Sequence, residues 1–324
     1  MIDPRERWRA YGEKPDYLGL LTFSGVPYTQ DPKELAGADV AIVGAPFDDL
    51  VSDRPGTRFA PRAIRAASFP PGPHLQDGVD AFADLRVLDY GDAPVVPARP
   101  EVSHGAIAAT VGEVLAAGAL PVVLGGDHSI TEPNLRAVAA VHGPVGLLHF
   151  DTHTDTGEEV FGATLSHGTM MRTVVEDGIV DPRRYAQIGL RGYWPGEREF
   201  TWQAERGITS LFAHDVMQRG IGAVVQEALA AVGDGPVFMT VDVDVLDPAF
   251  APGTGTPEPG GLSSRELLWA VRTLAASVEL VGVDVVEVLP TVVGSADITA
   301  LVADRIVREA LTGVALRRGA GGRR

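Results

Sequence analysis

The sequence contains no cysteine and only two lysines, Lys14 and Lys33. Without cysteine the chain forms no disulfide bond, carries no thiolate nucleophile and offers no sulfur ligand to zinc. Both lysines precede the first predicted strand, so a lysine that forms a Schiff base inside the core is not expected. These absences exclude disulfide scaffolds, cysteine enzymes and Schiff-base enzymes.

The chain also lacks a long apolar run and a basic surface. No stretch is long enough to span a membrane, and the amino terminus is charged and has no apolar signal core. The formal net charge of −16 argues against nucleic acid as a main partner and mildly favours a cationic substrate. We therefore expect a cytoplasmic protein that binds a small molecule, and neither a membrane nor nucleic acid.

Hydrophobic residues make up 45% of the 324 residues, which is ample for a core. Apolar runs of strand length alternate with helical segments along the chain, without a linker, an internal repeat or a break in composition. This alternation predicts an α/β fold, with a parallel sheet of about eight strands covered by helices on both faces. The order of the strands in the sheet does not follow from the sequence.

We expect one domain over residues 38–316. It is flanked by an irregular amino-terminal arm, residues 1–37, and by a disordered tail, residues 317–324. Within the domain, the spacing of apolar residues predicts a single helix over residues 216–232 and a terminal helix over residues 296–312.

Acidic and imidazole side chains follow the central apolar run, residues 145–150. Asp151, His153 and Asp155 alternate with threonines there, so a period of two would place all three side chains on one side. Two carboxylates and an imidazole at a strand end suit a divalent metal ion. Taken alone, the segment fits a polar loop that caps the next helix equally well.

Two further strand ends carry the same residue types. Asp242 and Asp244 follow the apolar run 237–239, and His128 follows the run 120–124 and a double glycine. His128 taken alone also fits a helix cap in which Asp127 or Ser129 supplies the capping oxygen. Because ligands of an open parallel sheet bind at the carboxyl ends of its strands, we expect these side chains to converge.

The candidate ligands are more numerous than one ion requires. They are His128, Asp151, His153, Asp155, Asp242 and Asp244. Four carboxylates and two imidazoles suit two divalent ions that share carboxylates and a bridging water, whose pKa they would lower. A carboxylate-rich site without sulfur favours Mn²⁺ over Zn²⁺, with Co²⁺ or Ni²⁺ as open alternatives.

Three segments resemble the signatures of the ureohydrolase family, which includes arginases and agmatinases. They are GGDHS at 125–129, DTHTD at 151–155 and TVDVDVLDPAFAPGTGTPEPGGL at 240–262. The resemblance extends over about residues 18–312, and the chain departs from it at Thr152, where the family usually has alanine. It implies the arginase-type three-layer α/β/α fold with an eight-stranded sheet, and two Mn²⁺ per chain.

The resemblance also assigns roles that the spacing of residues does not. Glu287, in the segment DVVEVLP, is similar to the glutamate that binds the guanidinium group of the substrate. His167, in SHGT, is similar to the histidine that shuttles protons, and Asp155 would both ligate metal and orient the attacking hydroxide. Without the resemblance, Glu287 and His167 would read as unremarkable loop residues. The five remaining histidines, His74, His104, His142, His149 and His214, receive no role.

We predict a hydrolase that cleaves a guanidino compound to urea and an amine, with agmatine as the first choice and putrescine as the amine. A guanidinobutyrase or another guanidino-acid hydrolase is the alternative, and a non-catalytic binding protein on the same fold is a remote one. Arginase is disfavoured because residues 156–159 do not match the loop that arginases use for the α-amino-acid end. The resemblance implies a homo-oligomer, a trimer or hexamer.

Three loops are expected to surround the site, residues 46–61, 156–166 and 191–196. We interpret Arg54 and Arg58 as structural, and the remaining charges of these loops are mainly acidic. An acidic rim favours a substrate that ends in an ammonium group. If the substrate ended in a carboxylate instead, Arg54, Arg58 or Arg191 would be its candidate partner.

Overall fold

The computed structural model of the chain describes residues 18–194, 196–290 and 297–321. The strands of this part of the chain are β1 (Val40–Gly44), β2 (Val87–Asp92), β3 (Leu120–Leu124), β4 (Val145–Phe150), β5 (Val180–Leu190), β6 (Thr209–Phe212), β7 (Pro236–Asp242) and β8 (Glu279–Val286). The helices are α1 (Ala60–Ala67), α2 (Ala81–Asp84), α3 (Pro100–Ala116), α4 (Thr131–His142), α5 (Met170–Glu176), α6 (Glu197–Arg206), α7 (Ala213–Arg219), α8 (Ile221–Val232), α9 (Ser264–Ser277) and α10 (Ile298–Gly321).

All eight strands lie parallel in one sheet, in the order β2-β1-β3-β8-β7-β4-β5-β6. The predicted fold class is therefore confirmed. The order places β3, β8, β7 and β4 side by side in the centre of the sheet, although these strands are far apart in the chain. Their carboxyl ends consequently open onto one shared edge.

The sheet separates two hydrophobic cores, because successive side chains of a strand point to opposite faces. On β3, Val122 and Leu124 pack with α1, α8, α9 and α10, whereas Val123 packs on the other face with α3, α4 and α5. Burial on both faces explains why the strands are nearly continuous apolar runs. Helices, sheet and helices form the three layers expected from the sequence.

The boundaries differ from the sequence predictions at three places. The helix expected over residues 216–232 is two helices, α7 and α8, separated by Gly220 with φ 78°. Helix α10 continues through Gly321, beyond residue 316, where we expected the domain to end and a disordered tail to begin. Helix α6 occupies a segment to which no element was assigned. No helix in the described part of the chain is long and apolar enough to cross a membrane.

The described part of the amino-terminal arm, residues 18–37, packs against the domain. It contains only two short 3₁₀ turns, as an irregular segment should. Phe23 and Leu35 are nevertheless fully buried, and Tyr28 forms a parallel bridge with Asp89 of β2. Residues 1–17 of the expected arm lie outside the described residues.

Candidate metal centre and cavity

The turn after β3 brings His128 to the shared edge of the sheet. Gly126 passes so close to the loop after β1 that a Cβ there would lie 1.7 Å from the carbonyl oxygen of Phe47. Only glycine fits at such a distance. Asp127 then accepts a hydrogen bond from the Ser129 backbone amide at 3.0 Å and caps the 3₁₀ turn His128–Ile130. The capping role that was an alternative for this segment therefore coexists with an inward-facing His128.

His128 is surrounded by three of the candidate carboxylates. Its Nδ1 atom lies 3.0 Å from Asp151 Oδ2, 3.1 Å from Asp155 Oδ2 and 3.2 Å from Asp242 Oδ2. All four side chains are buried. One imidazole nitrogen and three carboxylate oxygens from three strand ends thus point at one small volume.

A second cluster adjoins the first and shares Asp151. His153 Nδ1 lies 3.1 Å from Asp244 Oδ2 and 3.4 Å from the other carboxylate oxygen of Asp151, Oδ1. Asp151 therefore faces an imidazole with each of its oxygens. The six candidate ligands of the sequence analysis form two neighbouring donor sets with Asp151 between them, and His149 adjoins the first set.

The electrostatics of these clusters call for cations. His128 Nδ1 is buried, and within the described residues it makes no well-directed hydrogen bond. Burial, together with the negative charges of Asp244 and Asp151, raises the pKa of Asp242 well above its usual value. Buried like charges of this kind are stable only when paired or when they coordinate metal ions. The nitrogen and oxygen donors fit divalent ions of the Mn²⁺ type.

The backbone conformation that aims these side chains differs from the one expected. Strand β4 ends at Phe150, and the following residues are bent rather than extended, so strand alternation does not explain their convergence. Asp155 and Glu287 have positive φ angles of 52° and 61°. This conformation is unfavourable for residues other than glycine, and it concentrates at functional sites.

Glu287 and His167 lie next to the two clusters and contact each other. The Oε1 atom of Glu287 accepts a hydrogen bond from the backbone amide of His128 at 2.8 Å and lies 2.9 Å from His167 Nδ1. The Oε2 atom is buried and has no hydrogen-bond partner within the described residues. On its other side, His167 Nε2 lies 2.8 Å from the hydroxyl oxygen of Ser52.

The carboxylates around His167 favour its protonated form. Burial lowers the pKa of this imidazole, but the hydrogen bond and charge of Glu287, with the charges of Asp155 and Asp127, outweigh burial and raise the pKa to about 9. The Ser52 backbone amide, which can only donate, lies 3.0 Å from Nε2 and favours a lone pair on that nitrogen, so the two sides of the ring act in opposite directions.

A cavity of about 460 Å³ opens above the clusters. At its base lie His153, Asp155, Asp242 and His167. Its walls include Ser52, Glu159, Val160, Phe161, Trp194 and Thr256. The loops 46–61, 156–166 and 191–196, expected around the site, each contribute to this lining.

The loop arginines are held by other groups. Arg58 pairs with Asp48 and, at 2.7 Å, with Asp49. Arg191 donates to several backbone carbonyl oxygens, among them that of Asp244 at 2.7 Å. Arg54 is about half exposed, and its Nε atom lies 3.5 Å from Asp53 Oδ2. Arg58 and Arg191 therefore stabilise the loops through these contacts.

One histidine that received no role belongs to the neighbourhood of the site. His149 is fully buried on β4, and its Nε2 atom lies 2.8 Å from Asp151 Oδ2. Its Nδ1 atom lies 2.8 Å from the hydroxyl of Tyr185, which also accepts a hydrogen bond from Gln187 at 2.9 Å. The sequence did contain a signal for this role of His149. It is a histidine inside an apolar strand, two residues before Asp151 and on the same face.

Comparison with known proteins agrees with this geometry. The model of the arginase family matches residues 38–313. A guanidinobutyrase of Pseudomonas aeruginosa is 39% identical over 279 residues, which cover 86% of this chain and 87% of that protein. An agmatinase of Chromobacterium violaceum is 40% identical over 302 residues, covering 91% and 88%.

Among solved structures, proclavaminate amidinohydrolase from Streptomyces clavuligerus superimposes with a TM-score of 0.88 at 36% identity, covering 94% of this chain and 100% of that one. These relatives carry different substrate names at similar identity, so they do not distinguish between substrates. What they share is hydrolysis of a guanidino group. The chain belongs to the arginase family, and it is a ureohydrolase, a hydrolase of guanidino compounds.

Proposed function

We propose that the protein is a binuclear manganese hydrolase that cleaves agmatine to putrescine and urea. The observation that carries the proposal is the pair of donor clusters sharing Asp151 at the base of a cavity, with an unpartnered carboxylate oxygen of Glu287 next to the cavity-lining His167. His128, Asp151, His153, Asp155, Asp242 and Asp244 are the proposed ligands. When bound, divalent ions lower the pKa of water and so supply a nucleophile near neutral pH.

Glu287 is the proposed binding group for the guanidinium. A guanidinium carbon is a poor electrophile because it is resonance-stabilised and cationic, so it must be held against the nucleophile. Glu287 Oε2 is free to accept hydrogen bonds from the substrate, while Oε1 is fixed by His128 and His167. Asp155, which lines the base of the cavity, is in position to orient the attacking water.

His167 is the proposed proton donor to the leaving amine. Hydrolysis adds water to the guanidinium carbon and breaks one carbon–nitrogen bond, and the departing nitrogen must gain a proton to leave as an amine. His167 lines the cavity beside Glu287, and without bound metal the surrounding carboxylates raise its pKa to about 9, which favours holding the proton that it delivers. It is then reprotonated by the proton that the attacking water released.

The charges on the cavity wall support an ammonium-ended substrate. Glu159 lines the cavity, and its neighbour Glu158 is paired outside with Arg198 at 2.5 Å. Arg58 and Arg191 are held by other groups, so neither is available to a substrate carboxylate. Agmatine presents an ammonium group to Glu159, whereas 4-guanidinobutyrate presents a carboxylate, which Glu159 would repel.

A guanidino-acid hydrolase is the second candidate, and Arg54 is the observation that favours it. This side chain is half exposed, and its contact with Asp53 is a loose surface pair. Such pairs contribute little, so Arg54 could turn toward a substrate carboxylate at small cost. A homo-oligomer and a cytoplasmic location also remain predictions, as does the preference for manganese over Co²⁺ or Ni²⁺.

The test is a panel of guanidino compounds scored for urea release at fixed pH and manganese concentration. We expect kcat/KM for agmatine to exceed that for 4-guanidinobutyrate by at least about tenfold, or roughly 1.4 kcal/mol of transition-state preference. The reverse preference would overturn the agmatine assignment and favour Arg54 as the partner of the substrate tail. Glu159→Gln should reduce the preference if this residue carries it.

Metal analysis tests the centre itself. Asp242→Asn should lower bound Mn²⁺ below two per chain, whereas His167→Ala should keep the metal and lower turnover by about 10²–10⁴-fold. An unchanged metal count in folded Asp242→Asn would refute the ligand assignment. Loss of metal from His167→Ala would make His167 a ligand instead of a proton donor.

A further inference from the structure

Asp284 is a buried carboxylate for which the proposed reaction has no direct use. It lies on β8 and is 0% exposed. Its Oδ2 atom accepts hydrogen bonds from the Thr131 hydroxyl and from the Asn134 amide, each at 2.9 Å. Within the described residues, these donors are neutral, so no arginine or lysine compensates the buried charge. A buried charge without a cation is costly, and its presence calls for an explanation.

The neighbour of Asp284 across the sheet connects it to the candidate metal centre. Thr240 of β7 pairs with Asp284 in the strand register, and the Thr131 hydroxyl that donates to Asp284 also lies 3.4 Å from the hydroxyl oxygen of Thr240. The hydroxyl oxygen of Thr240 also lies 2.9 Å from Nε2 of His128. A buried series of hydrogen bonds therefore runs from Asp284 through the hydroxyls of Thr131 and Thr240 to the imidazole whose other nitrogen faces the carboxylate cluster.

The chemistry of these groups determines which one donates and which one accepts in each hydrogen bond of the series. A carboxylate only accepts hydrogen bonds, so the Thr131 hydroxyl donates to Asp284 and can only accept from the Thr240 hydroxyl. The lone pairs of Thr240 then remain for the N–H group at Nε2 of His128. With its proton held on Nε2, a neutral imidazole presents the lone pair of Nδ1, the nitrogen within 3.0–3.2 Å of Asp151, Asp155 and Asp242.

We propose that Asp284 is a positioning residue for the metal centre, acting through Thr131 and Thr240 to hold His128 in the tautomer that ligates metal through Nδ1. The proposal rests on the metal-dependent function proposed above. Partners of this kind orient a ligand and tune its basicity without touching the metal. The negative charge of Asp284, buried beneath the cluster, also favours cations in it.

The test measures Mn²⁺ binding to the metal-free protein by titration calorimetry, in the wild type and in three variants. Thr240→Val removes the hydroxyl and keeps the shape, and Asp284→Asn removes the charge and keeps the shape. We expect each to raise the dissociation constant of at least one Mn²⁺ by about 10–100-fold. Thr240→Ser retains the hydroxyl and should bind Mn²⁺ nearly as the wild type does.

Thermal unfolding of the metal-free and Mn²⁺-loaded forms separates this role from a purely structural one. Weaker metal binding narrows the gap between the two Tm values. The control is Asp304→Asn, which removes another buried acid, one paired with Arg308 far from the centre. It should lower both Tm values together and leave the gap unchanged.

The outcomes distinguish the inference from the function on which it rests. If the wild type binds no Mn²⁺ and releases no urea, the proposed function fails. If the wild type binds Mn²⁺ and Thr240→Val binds it equally well, only the inference fails. It also fails if Thr240→Ser is as weak as Thr240→Val, because the methyl group and not the hydroxyl would then matter.

Discussion

At the scale of single residues, the protonation of His167 should be visible in the stability of the metal-free protein. The pKa of this imidazole is about 9 in the folded state, against 6.5 for an unperturbed histidine. A pKa that is raised on folding contributes stability that is fully present below about pH 6.5 and is lost as the pH rises through about 9. The difference in unfolding free energy between the wild type and His167→Asn should therefore be largest at low pH.

Urea denaturation of the two metal-free proteins at several pH values between about 6 and 10 measures this difference. The comparison subtracts the titration of the other groups, which both proteins share. A difference that stays constant across this range would mean that Glu287 does not hold the proton on His167. The proton-donor role would then lose its main support.

Thr152, the departure from the family signature, carries a buried hydroxyl that lacks a partner within the described residues. It is 1% exposed. Thr152→Val keeps the shape and removes the unsatisfied group, so we expect it to raise the unfolding free energy by about 1 kcal/mol.

Thr154→Val is the matched control, because the hydroxyl of Thr154 accepts a hydrogen bond from Thr156 at 3.1 Å. It should lower the unfolding free energy by about 1 kcal/mol instead. Denaturant unfolding of both variants in the same metal-loaded state checks the opposite signs. A loss of stability in both variants would show that the Thr152 hydroxyl is satisfied.

The sequence identified the polar site residues that follow strands, but it did not identify the polar residues that lie inside strands. The six candidate ligands follow apolar runs, where polar residues are conspicuous. His149 and Asp284 sit within such runs, and a sequence does not reveal that a buried polar side chain has a partner on a neighbouring strand. Glu287 and His167 stand on loops, where the resemblance alone indicated a role.

At the scale of elements, Gly220 explains why one predicted helix is two. Its φ of 78° ends α7 and starts α8 in a new direction, and a Cβ at this position would have open space around it. Backbone strain alone should therefore decide the effect of a substitution. We expect Gly220→Ala to lower the unfolding free energy by about 1–3 kcal/mol, because φ 78° with ψ 153° is a conformation essentially confined to glycine.

Gly112 in the interior of α3 provides the matched control, since a Cβ there also meets open space. Because its backbone is helical, Gly112→Ala should raise the unfolding free energy by up to about 1 kcal/mol. Thermal or urea unfolding of the pair isolates backbone conformation from packing. A stabilising Gly220→Ala would mean that the two helices can join in solution.

The spacing of apolar residues did not distinguish this break, because α7 and α8 continue each other's pattern in sequence. The spacing of apolar residues also predicted no helix for the segment that forms α6. This segment is mostly polar, and its buried side chains are those of Trp202 and Gln203. Apolar strands were found because burial on both faces leaves a continuous signal. Polar surface helices leave a weaker one.

At the scale of the whole molecule, the site depends on strand order, which no local pattern contains. The chain visits β3 and β4 before it returns with β7 and β8 to fill the gap between them. That return unites three segments that are more than 100 residues apart at their extremes, as the hydrogen bond of the His128 amide to Glu287 illustrates. The general rule that ligands bind at the carboxyl ends of parallel strands predicted that the candidate side chains converge. Which strands are neighbours in the sheet became known only from the structure.

The net charge of −16 gives the whole molecule a field that should attract a cationic substrate. Agmatine carries two positive charges, whereas 4-guanidinobutyrate is a zwitterion of zero net charge. Salt shortens the reach of the field from about 30 Å at 0.01 M to about 8 Å at 0.15 M ionic strength. We expect kcat/KM for agmatine to fall by about tenfold over this range and that for 4-guanidinobutyrate to change little.

Steady-state urea release with both compounds over the same salt series is the measurement, and the zwitterion is its internal control. A parallel fall for both would mean that salt acts on the metal centre or on folding rather than on substrate attraction. A flat profile for agmatine would mean that the surface charge is screened before it acts, and that recognition of the ammonium group depends on short-range contacts such as Glu159. Comparing the salt series of Glu159→Gln with the wild type separates these two sources. Loss of the local contact changes kcat/KM for agmatine at every salt concentration, whereas the molecular field determines how steeply kcat/KM falls as salt is added.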